Sequence, residues 1–253
     1  ELGIGGIIEN ARKRKEDAGL QIWHHEFLDS VIIVYTGMGN LISRYAELAA
    51  DLASQAQSEK EKQRLDGIAQ ACRHISCCRP ASFREAVQLL WFGHLGTILE
   101  SCAWINYGRL DCILQPDLGD TPHDEALELL ACLLLKMYDQ ADIEEGYFNK
   151  HEGQLVVTLG GQTPDGKSAV SDTTMLFLEA IDFTRLPEPE VNLRVCSLDP
   201  PEYLDRAAKL TISGCNFVSY YNDDTIVPSL IDMGLAPEDA RSYGFDLCQD
   251  LNI

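Results

Sequence analysis

The run Gly244-Phe-Asp-Leu-Cys-Gln-Asp-Leu places a thiol and two carboxylates, Asp246, Cys248 and Asp250, within five residues. In an extended segment alternate side chains share a face, so these three stand on one side and Phe245, Leu247 and Gln249 on the other. A thiol and a carboxylate presented together could serve three chemistries. A nucleophilic cysteine needs a base, usually histidine, to make thiolate. The six histidines, at 24, 25, 74, 94, 123 and 151, are all distant in sequence, and a neighbouring carboxylate raises a thiol pKa. Metal ligation by cysteine and aspartate alone is incomplete. The remaining option is a neutral S–H that carries hydrogen atoms while the aspartate moves protons. Against all three stands a buried structural cysteine beside a solvated aspartate, and composition alone does not displace it.

Two styles of sequence must position this run. Residues 7 to 139 are dominated by helical periodicity. HEFLDSVIIVYTGMGNLISRYAELAADLASQ and the segment to His74 read as long helices, with SEKEKQR as their solvated turn. RPASFREAVQLLWFGHL reads as a further helix capped by Ser82. After residue 150 strands alternate with helices. QLVVTLGG, EVNLRVCSL, CNFVSYYN and FDLCQDL read as strands. The helices between them are capped by Ser171 and by Asp199, and Asp223 reads as the cap of the helix that follows YYN. Strands separated in this way predict βαβ units around a parallel sheet, open or closed into a barrel. Such a fold holds its site at the C-terminal ends of the strands. An array ending on a strand leaves an exposed edge, so the chain reads as one incomplete domain. Residues 1–150 form its mainly helical layer, and 151–253 form an alternating half-barrel.

Composition narrows the function. With 45% hydrophobic and 24% charged residues over 253 positions, the chain is globular. Its net charge of -20 argues against a nucleic-acid partner, which needs clustered Lys and Arg. The longest apolar runs, AVQLLWFGHLGTIL and ALELLACLLLKMY, read as buried helices rather than membrane spans. The N-terminal ELGIGGIIENARKRKED puts its charges after its apolar residues, the reverse of a secretory signal, and lacks an initiator methionine. Nine cysteines, an odd count with no C-x-x-C pair, suit a reducing cytoplasm better than a disulfide framework. No metal site is expected. TLGG lacks the spacing and lysine of a phosphate loop, and close backbone packing at a strand end explains it better.

Several blocks, in order, resemble the glycyl radical enzymes, the superfamily of pyruvate formate-lyase and the diol dehydratases. They are RPASFREAVQLLWFGHL, YGRLDCILQPD, VTLGGQTPDGKSAVSDTTMLFLEA, RLPEPEVNLRV, YYNDDTIVPSLIDMG and PEDARSYG, and they cover nearly the whole chain. The resemblance implies an α/β fold that is part of a ten-stranded barrel, and it sets Cys248 at the position of the family's hydrogen-abstracting loop cysteine. Eliminating members usually read G-C-V-E there. Here Leu247-Cys248-Gln249-Asp250 lacks the glycine and replaces glutamate by the shorter aspartate. One cysteine rather than two adjacent ones disfavours acyl transfer to coenzyme A.

The resemblance therefore implies an anaerobic, cytoplasmic lyase or dehydratase cleaving a C–O, C–N or C–C bond of a small polar substrate. Cys248 and Asp250 would be catalytic, and Ser101, Trp104, Asn106 and Asn222 would contact substrate. It implies no directly bound cofactor. The organic radical would sit on a glycine outside this chain, installed by a separate S-adenosylmethionine/iron–sulfur activating enzyme, in a homo-oligomer. The family's R-V-x-G-Y radical loop is absent, so the sequence reads as an internal segment of a longer enzyme. An acyltransferase of the pyruvate formate-lyase kind and a non-catalytic scaffold homologue are the alternatives.

Overall fold

The computed structural model describes residues 2–17, 19–100, 105–140, 155–215, 218–246 and 250–252. The chain divides into two compact units, Glu1–Gly96 and Thr97–Ile253.

The first unit is helical: α1 (Gly3–Arg14), α2 (Ile22–Gln55), α3 (Glu59–Ile75) and most of α4 (Phe83–Leu99). Its core joins Ile4 of α1, Ile42 and Ala46 of α2, Cys72 and Ile75 of α3, and Phe92 and Leu95 of α4. Small buried residues, Ala46, Ala49 and Ala53 on α2 and Ala69 and Cys72 on α3, let the long helices lie close together. SEKEKQR is not the turn between α2 and α3. Ser58 accepts the Glu61 N–H at 3.2 Å and so caps α3, which makes the charged run its first turns. Ser82 caps α4 as its sequence predicts, accepting the Glu85 N–H at 3.3 Å.

The second unit opens with a strand that its helical surroundings concealed, β1 (Ile105–Arg109). The alternating part thus begins before residue 151. Then follow α5 (Leu110–Leu118), α6 (His123–Gln140), β2 (Leu155–Gly160), α7 (Asp172–Thr184), β3 (Glu190–Val195), α8 (Pro201–Ile212), β4 (Val218–Asn222), α9 (Asp223–Asp232) and α10 (Pro237–Arg241). Strands β1 to β4 form one parallel sheet in sequential order, as βαβ chirality favours. Ser171 caps α7 in a reciprocal box with Thr174. Asp199 does not cap α8. Its carboxylate accepts the Cys196 N–H at 2.7 Å and the Ser168 hydroxyl at 2.6 Å, fastening the end of β3. No helix among the described residues is long and apolar enough to cross a membrane.

The final run is a hairpin rather than a single strand. β5 (Gly244–Asp246) and β6 (Asp250–Asn252) pair antiparallel, with Asp246 opposite Asp250. Opposed residues four apart have the same parity, so the period-two pattern passes through the reversal unbroken. Alternation therefore could not distinguish the hairpin from one strand.

One group in the first unit makes stability pH-dependent. His94 is only 2% exposed, and burial holds its imidazole down to about 4, against an ordinary 6.5. A depressed folded-state value means stability that is present above pH 6.5 and is lost as the pH falls toward 4. Urea unfolding across that window should show the parent losing about 2 kcal/mol more than His94→Gln. Equal losses in both proteins would refute this.

Candidate active site

The register of the sheet decides which side chains meet. Thr158 of β2, Asn192 of β3 and Ser219 of β4 are level, as are Gly160, Arg194 and Tyr221. Glu190 shares their side of β3, so that side of the sheet is mainly polar, with Val156 of β2 as its apolar exception. On the other side Leu155, Val157, Leu159, Val191 and Leu193 are buried and apolar. Helix α8 lies there, because the Tyr220 hydroxyl donates to the Ala207 carbonyl at 2.7 Å.

β5 lies against the polar side. The Phe245 N–H donates to the Thr158 hydroxyl at 3.1 Å, and the Phe245 ring centre is 3.7 Å from that of Tyr221. The segment leading into β5 is held by a buried cation. Arg194 is fully buried, and its Nε and Nη2 donate to the two carboxylate oxygens of Asp223 at 3.0 and 2.7 Å. Nη1 donates to the Tyr243 carbonyl at 2.7 Å and Nη2 to the Arg241 carbonyl at 2.9 Å. The guanidinium carbon lies 3.6 Å over the Tyr243 ring, and the Tyr243 phenol donates to Asp223 Oδ1. Burial holds that phenol above its usual range, although the Arg194 charge pulls it down.

A second pair supports the first. Arg109 donates to the Gly160 carbonyl at 3.0 Å and to the Arg241 carbonyl at 3.4 Å. Asp111, fully buried, accepts the Gly160 N–H and the Thr174 hydroxyl, each at 2.7 Å, and the Cys112 N–H at 2.8 Å. Burial raises its carboxyl while those hydrogen bonds oppose the rise. The glycines of TLGG give the room. Gly161 has φ +86°, and a Cβ there would lie 2.5 Å from Arg194 Nε and 2.6 Å from Cζ. Close approach, rather than phosphate binding, accounts for the motif.

Of the six residues singled out by sequence, Ser101, Trp104 and Cys248 lie outside the described residues. Asp250 is described by its pairing with Asp246, and three residues separate the two, with Cys248 the middle one. Asn106 is half-buried in β1, its Oδ1 accepting the Gly108 N–H at 2.8 Å. Asn222 is exposed and its Oδ1 accepts the Asp224 N–H at 2.9 Å, so Asn222 caps α9 and Asp223 does not. Asp223 instead faces Arg194. Sequence reasoning missed Arg194, Tyr243 and Asn192. Asn192 is fully buried, and neither its Oδ1 nor its Nδ2 is hydrogen-bonded to any described residue. The one available signal was the polar alternation of Glu190, Asn192 and Arg194 inside an otherwise apolar strand.

The profile described as "PFL-like: Pyruvate formate lyase-like" matches residues 1–253. The chain belongs to the pyruvate formate lyase-like family of glycyl radical enzymes. Within this family it is 31% identical over 234 residues to trans-4-hydroxy-L-proline dehydratase of Clostridioides difficile, covering 87% of this chain and 30% of that protein. It is 31% identical over 240 residues to isethionate sulfite-lyase of Nitratidesulfovibrio vulgaris, covering 90% and 29%. The glycerol-bound B12-independent glycerol dehydratase of Clostridium butyricum superposes with a TM-score of 0.88 at 30% identity, over 100% of this chain and 34% of that one. This member spans about a third of the length of the glycyl radical enzymes it matches.

The close approach at Gly161 is measurable. Gly234 has φ +103° with nothing within 4 Å, so an alanine there meets backbone strain alone. Gly161→Ala should lower unfolding free energy by about 2 kcal/mol more than Gly234→Ala, because it also forces the Arg194 guanidinium aside. Equal losses on denaturation would remove the packing role.

Proposed function

We propose that this chain carries the hydrogen-transfer segment of a glycyl radical lyase or dehydratase acting on a small polar substrate. The observation that carries the reading is the pinned hairpin. Its first strand, β5, lies against the polar side of a parallel sheet, and Cys248 falls in the sequence between the paired Asp246 and Asp250, in a chain similar to dehydratases and a sulfite-lyase. The likeness in fold to the glycerol dehydratase supports taking the sheet as part of a ten-stranded barrel.

A radical on a glycine outside this chain, installed by a separate S-adenosylmethionine/iron–sulfur activating enzyme, supplies the one-electron chemistry. Cys248 gives up its S–H hydrogen atom and becomes thiyl. The thiyl takes a hydrogen atom from a substrate C–H bond, which restores S–H and leaves a carbon radical. Asp250 accepts the proton of the hydroxyl on that carbon. The group on the neighbouring carbon then leaves with its bonding electron pair and collects the proton. The product radical recovers a hydrogen atom from the Cys248 thiol, and the thiyl takes a hydrogen atom back from the glycine, which would regain the radical. Ser101, Trp104, Asn106 and Asn222 are the candidate substrate contacts. Asn192, whose donor and acceptor are unspent among the described residues, is added to them. A dry site protects such radicals from quenching.

In the activated full-length polypeptide Cys248→Ser should abolish turnover with the circular dichroism spectrum unchanged, and surviving turnover would sink the reading. Asp250→Asn should slow turnover about a hundredfold while exchange between deuterated substrate and the thiol continues; undiminished turnover removes the base. Asn192→Val should change unfolding free energy by less than about 1 kcal/mol, since it deletes groups with no partner among the described residues, yet lower kcat/KM. A large stability loss with intact kinetics would exclude Asn192 from the site.

A further inference from the structure

We infer that Arg194, Asp223 and Tyr243 form a positioning unit that sets the placement of the cysteine hairpin, and hence the reach of Cys248. Cys248 follows Tyr243 by five residues and Gly244 by four. Two of the three residues before β5, Arg241 and Tyr243, are held by their main chain. Arg194 donates to the carbonyls of Arg241 (2.9 Å) and Tyr243 (2.7 Å), and Arg109 donates to the first of these as well (3.4 Å). The first residue after this stretch that can be fixed to the sheet, Phe245, is held by Thr158 at 3.1 Å. Arg241 adds an outer tie, its Nη1 donating to the Pro164 carbonyl at 2.9 Å.

The geometry over-determines the guanidinium. Two oxygens of Asp223 fix its plane, the Tyr243 ring closes one face of it, and Gly161 closes in on Nε and Cζ. Asp223 is itself fixed by its place in the first turn of α9, directly after β4. The end of β3 and the start of α9 therefore determine together where β5 begins. Hydrogen-atom transfer falls off steeply with misplacement, and a shift of about an ångström from remote changes can cost about a hundredfold in rate. A unit that fixes the root of the hairpin to several anchors suits that demand. Arg194, Asp223 and Tyr243 are positioning residues here, and none is assigned contact with substrate.

The turnover arm of the test rests on the reading of Cys248 as the hydrogen-atom carrier, whereas the labelling arm does not. Tyr243→Phe removes only the phenol that joins Tyr243 to Asp223 and leaves the ring beneath the guanidinium. Tyr203→Phe is the matched control. It also deletes a buried hydroxyl, one that donates to the Arg194 carbonyl at 3.1 Å, without touching residues 241–246. In the unactivated full-length protein, peptide-resolved mass spectrometry would follow iodoacetamide alkylation of Cys248, with exposed Cys132 as internal reference. Tyr243→Phe should change the Cys248 rate about tenfold while Tyr203→Phe leaves it within twofold. After activation, Tyr243→Phe should lower kcat by about ten- to a hundredfold with KM within twofold. Arg194→Lys should not rescue, because an ammonium cannot span two carboxylate oxygens and two carbonyls.

Altered labelling in Tyr243→Phe with an inert parent upholds the positioning unit and overturns the proposed function. Unaltered labelling together with full turnover in Tyr243→Phe overturns the positioning unit and leaves the function standing. Equal changes in both tyrosine variants assign the unit to general stability and overturn it as well.

Discussion

A guanidinium taken out of water must spend its donors inside the protein. Arg194 spends four of its five N–H groups on three chain segments: the start of α9 through Asp223, the end of α10 through the Arg241 carbonyl, and the entry to β5 through the Tyr243 carbonyl. Desolvating two charges costs several kcal/mol per ion, and the attraction between them offsets this only with good geometry and further hydrogen bonds. Such a pair is weak as a source of stability and strong as a source of uniqueness. If any segment shifts, a buried charge loses a partner. The glycines at 160 and 161, the Tyr203 hydroxyl on the Arg194 carbonyl, and the Arg109 and Asp111 ties to Gly160 all follow from the need to surround that one group.

The sheet shows the same logic in its two sides. Apolar residues of β2 and β3 face α8, as a helix-covered parallel sheet requires. The opposite side carries Thr158, Glu190, Asn192, Arg194 and Ser219, which is expensive unless each polar group has work to do. Thr158 and Arg194 hold the hairpin. Burial raises the Glu190 carboxyl, with the Ser219 hydroxyl within 3.5 Å opposing the rise. Asn192 has no hydrogen-bond partner among the described residues, and an unpaired buried amide is a marker of function or of stored strain.

Local chemistry was legible in the sequence, and distant partnership was not. Ser82 and Ser171 cap where their neighbours predict, and β2, β3, β4 and α7 to α10 stand where periodicity and punctuation put them. The five residues of β1 escaped notice because they are half-buried and sit between strongly periodic helices. Asp199 and Asp223 were misjudged for a common reason. An aspartate before a helix is ordinarily a cap, but each here has a partner that the local pattern cannot reveal. For Asp223 it is a cation 29 residues away, itself bound to a carbonyl 49 residues further along the chain from Arg194. The hairpin was hidden by parity, since a reversal that leaves opposed residues four apart preserves alternation. The candidate pair Cys248 and Asp250 came from the order of family-like blocks, and the apparatus around them came only from three-dimensional contacts.

The arginines grip the hairpin's root by main-chain carbonyls at Arg241 and Tyr243, and Thr158 takes a main-chain N–H at Phe245. Main-chain groups are the same whatever residue bears them. These ties therefore constrain the side chains of the stretch little, apart from that of Tyr243, whose ring and phenol meet Arg194 and Asp223. Among the described residues these ties lie before residue 247, so Leu247-Cys248-Gln249-Asp250 can depart from the commoner pattern without breaking any of them. A frame held in this way tolerates substitution in the segment that follows it, with no need to rebuild the residues beneath.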